Sequence, residues 1–187
     1  MMEGRETVRL DEIEARLGSI YADAVAAIDA FPGNEHFHTS LHGAAHSKRV
    51  LLFALLMADA KELSDEDRQA LSEAAVYHDT QRFDDWLDVG HGARAADAYL
   101  AGIESPTREH ELVAAIMRYH DQHDELGEEQ IGREFGARGV MLYRIFKDAD
   151  ALDRFRIGPD ALDVRYLSNP EATELIDLAR ELNATSA

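Results

Sequence analysis

The 187-residue chain contains no cysteine, which removes disulfides, thiolate nucleophiles and Cys-ligated zinc from consideration together. It is also short of positive charge. Lys and Arg total 19 against 37 Asp and Glu, for a formal net charge of −18. A field of that sign repels nucleic-acid polymers and anionic membranes, so neither is an expected partner. Lysine is scarcest, with three residues beside sixteen arginines, so nearly every cation is a fork-shaped guanidinium suited to carboxylate or phosphate. There is no long apolar run. The longest, "VLLFALLMADA" from Val50, is too short to span a bilayer. The first residues, "MMEGRETVRLDEIEARL", are charged throughout, so a cleaved leader is not expected. Together with the absent cysteines this points to the cytoplasm.

What is present reads as helix. Leu10, Ile13, Leu17, Ile20, Tyr21, Ala24 and Ile28 recur at helical spacing over about 7–30, and "FPGN" ends that segment. A second helix is expected over about 42–61. Ser64, followed by Asp65, Glu66 and Asp67, caps a third running toward His78. A fourth spans about 91–101 and is closed by Gly102. Ser105-Pro106 opens a fifth as cap and first residue, reaching about 121. Gly136 and Gly139 precede a helix over about 140–152, and Asn169-Pro170 opens a last one to about 182. The polar, glycine-bearing stretch "DQHDELGEEQIGREFGARG" reads as a mobile loop. No strand alternation, repeat or linker interrupts the pattern. The expectation is an all-α protein, a single domain over residues 1–187 built from about six or seven helices.

Onto this frame fall nine histidines. His46 lies in line with Val50, Phe53, Ala54 and Met57. His78 continues the line of Leu71, Ala74 and Ala75, and His120 that of Val113, Ile116 and Met117. His110 lies off its stripe and reads as exposed; His36 and His38 fall in a loop; His42, His91 and His123 sit near helix ends. Three helices thus each turn an imidazole toward the core, and Asp79 and Asp150 follow at the edges of two apolar stripes. One such histidine is ordinarily a packing residue. Several imidazoles and carboxylates in one core are costly unless they share a partner, and a divalent metal ion accepts both donor types. Adjacent helical residues point about 100° apart, so His78 and Asp79 can share an ion only in the wedge between them.

The segments "LHGAAHSKRV", "AAVYHD" and "KDADALDR" resemble the H…HD…D pattern of the HD-domain metal-dependent phosphohydrolase superfamily, over about residues 36–155. The resemblance implies an all-α scaffold on which His46, His78, Asp79 and Asp150 bind a metal. "HG" at His91 and "RYHD" at His120 resemble the small bacterial members, and His91 and His120 become the candidates for a second metal. The sequence departs from the family at Thr80-Gln81, where Ile-Gly is usual.

An ion held by two imidazoles and two carboxylates keeps open positions, lowers the pKa of a bound water and polarises a phosphoryl oxygen. Mn, Fe, Co, Ni, Zn and Mg all suit the donors, as one ion or two. Arg49, Arg82, Arg94 and Arg154 follow His46, His78, His91 and Asp150 at helical spacing and are the expected phosphate ligands; Arg118 is a weaker candidate. Asp79 and Arg82 are the expected catalytic pair. Asp84 and Asp85 read as a solvated turn or as an acid and base, and Phe83 and Trp86 as packing residues or as a stacking surface for a base. The expected activity is hydrolysis of a small phosphoester, a nucleotide being one fitting substrate. Two alternatives share the scaffold: a di-iron oxygenase, and a regulatory module that binds a metal or nucleotide without turnover. The acidic N-terminal helix offers a face on which a second copy could form a homodimer.

Overall fold

The longest apolar stretch of the chain becomes its central helix. The computed structural model describes residues 3–30, 42–86 and 88–184, with side chains from residue 10 onward. In chain order the helices are α1 (Glu3–Ala30), α2 (Ala44–Ala60), α3 (Asp65–Tyr77), α4 (His91–Ala101), α5 (Arg108–Tyr119), α6 (Asp124–Leu152), α7 (Pro170–Glu174) and α8 (Ile176–Ala184). Short 3₁₀ turns lie at Asp153–Arg156 and Val164–Tyr166. There is no strand among the described residues, and no helix long and apolar enough to cross a membrane. The all-α expectation holds.

In α2 every residue from Val50 to Ala58 is buried. A helix apolar on all sides must be surrounded, and α1, α3 and α6 pack around it. Each fully buried side chain such as Leu51, Phe53 or Leu55 contributes about 1.5–3 kcal/mol of transfer free energy. On the far side α4 lies on α5, and α5 rests on α3 and α6. At Gly92 the approach of α4 to α5 is so close that a Cβ would run into the Met117 carbonyl and the His120 ring. Arg138 ties three helices together, bonding Asp67 at 2.7 Å and both oxygens of Glu109 at 2.9 Å.

Most helix ends fall where the caps predict. Ser64 accepts a hydrogen bond from the Asp67 N–H at 3.2 Å, and α3 stops at Tyr77 with His78 as its C-cap. Five readings need correction, the first being that α1 is not one continuous helix: at Gly18 (φ 72°, ψ −152°) the chain leaves helical geometry. The fifth helix starts two residues later than Ser105-Pro106 implies: the cap is Thr107, in a reciprocal capping box with His110, which satisfies two N–H groups where a lone serine would satisfy one. That box also leaves His110 half-buried rather than exposed. The supposed mobile loop is largely helix, the first arm of α6. At Gly136 (φ 67°, ψ −159°) the chain leaves helical geometry and doubles back. Tyr143 then lies against Gly127, and Arg144 pairs with Glu128 at 2.7 and 2.6 Å. Residues sixteen apart in a straight helix would be roughly 24 Å apart, so α6 is a tight hairpin of two arms. Finally, the last helix is broken at Leu175 into α7 and α8. The "FPGN" terminator and His36 and His38 lie outside the described residues.

Candidate metal centre

Five helix ends meet at one end of the bundle. His46 comes from the first turn of α2, His78 caps α3 with Asp79 directly after it, His91 begins α4, His120 caps α5, and Asp150 and Asp153 lie at the end of α6. His46, His78, Asp79, His91 and His120 are each no more than 5% exposed, so their polar atoms must find partners inside the protein.

The ring orientations say what kind of partner is needed. The Nδ1 atoms of His78, His91 and His120 lie 3.0, 2.6 and 2.6 Å from the carbonyl oxygens of Ala75, Asp88 and Met117. A carbonyl only accepts, so each Nδ1 carries the hydrogen and donates it. The Nδ1 of His46 meets the Asp153 carboxylate at 2.7 Å in the same way. In the neutral rings all four Nε2 atoms then present lone pairs, and they face each other in two pairs. His46 and His78 stand 3.1 Å apart at Nε2, and His91 and His120 stand 2.9 Å apart. Facing lone pairs at that distance repel unless a cation, a proton or a metal ion, lies between them.

Asp79 stands between the pairs. Its Oδ2 is 3.4 Å from His46 Nε2 and 3.6 Å from His78 Nε2; its Oδ1 is 3.0 Å from His91 Nε2 and 3.5 Å from His120 Nε2. Oδ1 is buried and makes no hydrogen bond, although His91 is so close. The residues thus form two candidate ligand groups with Asp79 common to both: His46, His78 and Asp79, and Asp79, His91 and His120. Asp150 stands beside the first group, half-buried, with its Oδ1 3.3 Å from His46 Nε2. Imidazole lone pairs with an orphaned carboxylate oxygen fit a divalent ion.

The electrostatics agree. Burial works against charge on His46, yet the carboxylates of Asp150, Asp153 and Asp79 outweigh it and raise its pKa to about 10. Burial dominates at His78 and pushes it down to about 3. Burial alone would raise Asp79, but the imidazoles around it hold it well below the ordinary carboxylate range. The cluster is a buried anionic well that draws in a positive charge.

A cavity of about 290 Å³ opens onto the second pair. Asp79, His91, His120, Asp121 and Asp150 line it, and the cations Arg82, Lys147, Arg154 and Arg156 stand around it. Of the arginines expected to hold phosphate, Arg82 and Arg154 are there. Arg49 and Arg94 are not. Arg49 is spent on Asp153, at 2.5 and 3.1 Å. Arg94 bonds Asp88 at 2.6 Å and the Gln81 carbonyl at 3.0 and 3.2 Å. Arg118 pairs with Asp97 at 2.5 Å, away from the cavity. Asp85 pairs with His42 at 2.8 Å, and the Asp84 carboxylate accepts the Trp86 N–H.

Sequence reasoning missed Asp153, Asp121, Lys147 and Arg156. Asp153, fully buried, is the carboxylate that orients His46. Asp121 accepts from the Gly90 N–H and lies 3.5 Å from His91 Nδ1. A signal for it existed, because His120-Asp121 repeats the His78-Asp79 dipeptide. The Thr80-Gln81 departure is benign in the backbone, since positive φ among the described residues is confined to Gly18, Glu62, Gly90 and Gly136. No family model, curated protein or solved structure matches the chain.

Proposed function

We propose that the protein is a metal-dependent phosphohydrolase of the HD-domain type, acting on a small phosphoester. The observation that carries this reading is the pair of Nε2–Nε2 contacts bracketing the orphaned carboxylate of Asp79. His46, His78 and Asp79, with Asp150 alongside, would hold one ion, and Asp79, His91 and His120 a second. Four imidazoles around one shared carboxylate favour a first-row transition ion such as Mn, Fe, Co, Ni or Zn over Mg. When bound, such an ion supplies a Lewis acid and lowers the pKa of a coordinated water. The protein supplies the rest. Arg82 and Arg154 take phosphoryl oxygens in a chain whose overall charge repels them. Asp121 and Asp150 offer carboxylate oxygens at the cavity wall that can accept a proton from water.

The test is metal content per chain together with phosphate release from a panel of phosphoesters. A near-stoichiometric transition metal, and release that disappears in Asp79→Ala, is the expected outcome. Protein that takes up no metal on reconstitution rejects the reading. A second reading is favoured by the second histidine pair: a di-iron oxygenase needs two sites, and both groups exist here. Oxygen uptake without phosphate release selects that alternative, and metal-loaded protein inert in both assays selects a regulatory role.

A further inference from the structure

Seven large apolar side chains stand exposed among the described residues, and three of them fall in one short connection. Phe83, Trp86 and Val89 lie in the short connection between Asp79 and His91. Ile157 lines the metal cavity. Trp86 is 83% exposed, an unusual setting for an indole.

The connection that carries it is braced. The Trp86 N–H donates to Asp84 Oδ1 at 2.8 Å, and the Trp86 carbonyl accepts from Arg82 at 2.8 Å. The Phe83 N–H donates to Asp88 Oδ2 at 2.9 Å, and the Arg94 guanidinium covers the Phe83 ring at 4.1 Å. The backbone at Phe83 and Trp86 is held by these bonds while the indole stands exposed. Beside it lies a cleft of about 80 Å³ lined by Arg82, Trp86, Asp88, Val89, His91 and Asp121. Three of these residues, Arg82, His91 and Asp121, also line the metal cavity, so the two spaces adjoin along a shared wall. Arg82 stands at the junction.

We propose that Trp86 and Val89 form a subsite for a planar aromatic group of the substrate. The substrate class is then a phosphoester whose organic portion carries an aromatic ring, as a nucleotide does, with its phosphate at Arg82 and its ring against the indole. This rests on the phosphohydrolase reading for the phosphate but not for the ring. A membrane surface is disfavoured by Asp84, Asp85 and Asp88 in the same connection. Stacking of a base on an aromatic side chain is sequence-tolerant and strong enough to set specificity.

Trp86 is the sole tryptophan of the chain, so its emission reports the subsite directly. Titration with adenosine 5′-phosphate quenches it saturably, and glycerol phosphate leaves it unchanged. Trp86→Ala raises KM for adenosine 5′-phosphate about 10- to 100-fold with kcat little altered, and Trp86→Phe restores most of the loss. Quenching without phosphate release from any ester supports the subsite and rejects the hydrolase. Unchanged emission, with adenosine 5′-phosphate and glycerol phosphate hydrolysed equally well, overturns the subsite, leaves the hydrolase standing and assigns the rim to a macromolecular contact.

Discussion

The two histidine pairs that share Asp79 use the same donor atoms and differ in what surrounds them. Around His46 and His78 the nearest groups are carboxylates, a carbonyl and an aromatic ring, and the cations Arg49 and Arg156 stand one step out, on Asp153. Asp153 holds His46, Asp150 approaches at 3.3 Å, and the Phe146 ring stands edge-on to His78. Around His91 and His120 the orienting groups are neutral carbonyls, and a cation is already present. Arg82 Nη1 lies 3.2 Å from His91 Nε2 and 3.8 Å from Asp79 Oδ1. The second pair lines the cavity and the first lies behind it. Outer partners tune a metal site nearly as strongly as its ligands do. If both pairs take metal, the inner pair is the one whose surroundings would retain an ion, and the outer pair would share its negative potential between an ion and an arginine.

The largest effect should come from the residue common to both. Asp79→Ala is expected to lose both ions and to lower phosphate release by about a thousandfold or more, by analogy with removing a charge stabiliser at a reacting centre; metal analysis and a phosphate assay check it. Retention of one ion would break the symmetry and make Asp79 a ligand of the other pair alone. Asp153→Asn should come next. It keeps the shape but weakens the anionic hold on His46, and the inner-ion affinity should fall about 10- to 100-fold while the outer ion is spared. Chelator competition separates the two. Equal weakening of both ions would show that the pairs bind as one unit.

What the sequence made legible was whatever lay on an apolar stripe. His46, His78 and His120 stood out because helical periodicity carried them onto buried faces, and the all-α architecture followed from the same pattern. What escaped depended on tertiary pairing. Asp153 is one of 37 acidic residues, and only the fold shows that it captures His46 and Arg49 together. Spacing put Arg49 and Arg94 on the correct faces, but it could not say that Asp153 and Asp88 would claim them. The first arm of α6 looked like loop because its reason for being helical is across the hairpin, where the Tyr143 ring fills the space that Gly127 leaves.

Arg82 tests the asymmetry from the other side. Removing a unit positive charge about 4 Å from a divalent-cation site relieves roughly 2 kcal/mol even at the dielectric of water. Arg82→Ala should therefore tighten the outer ion about thirtyfold and affect the inner ion less, while KM for the phosphoester rises. Calorimetric titration with Mn²⁺ reads the affinities. No change in the outer ion would mean that the guanidinium swings away when metal enters, and that the outer pair differs from the inner only in its exposure to the cavity.

The smallest effect is expected where the sequence looked most unusual. Gln81 has ordinary backbone geometry, and its carbonyl accepts the two N–H bonds from Arg94. A glycine can present the same carbonyl. Gln81→Gly should cost only about 0.4–1 kcal/mol, through the greater freedom of the unfolded chain, and lower Tm by roughly 1–4 °C with metal content intact. Loss of the outer ion in this variant would point to a chain of contacts instead. Arg94 also grips the Asp88 carboxylate, and the Asp88 carbonyl accepts the Nδ1 hydrogen of His91. Slack at residue 81 would then reach the imidazole through Arg94 and Asp88, and the outer pair would depend on its connecting loop in a way the inner pair, anchored through Asp153, does not.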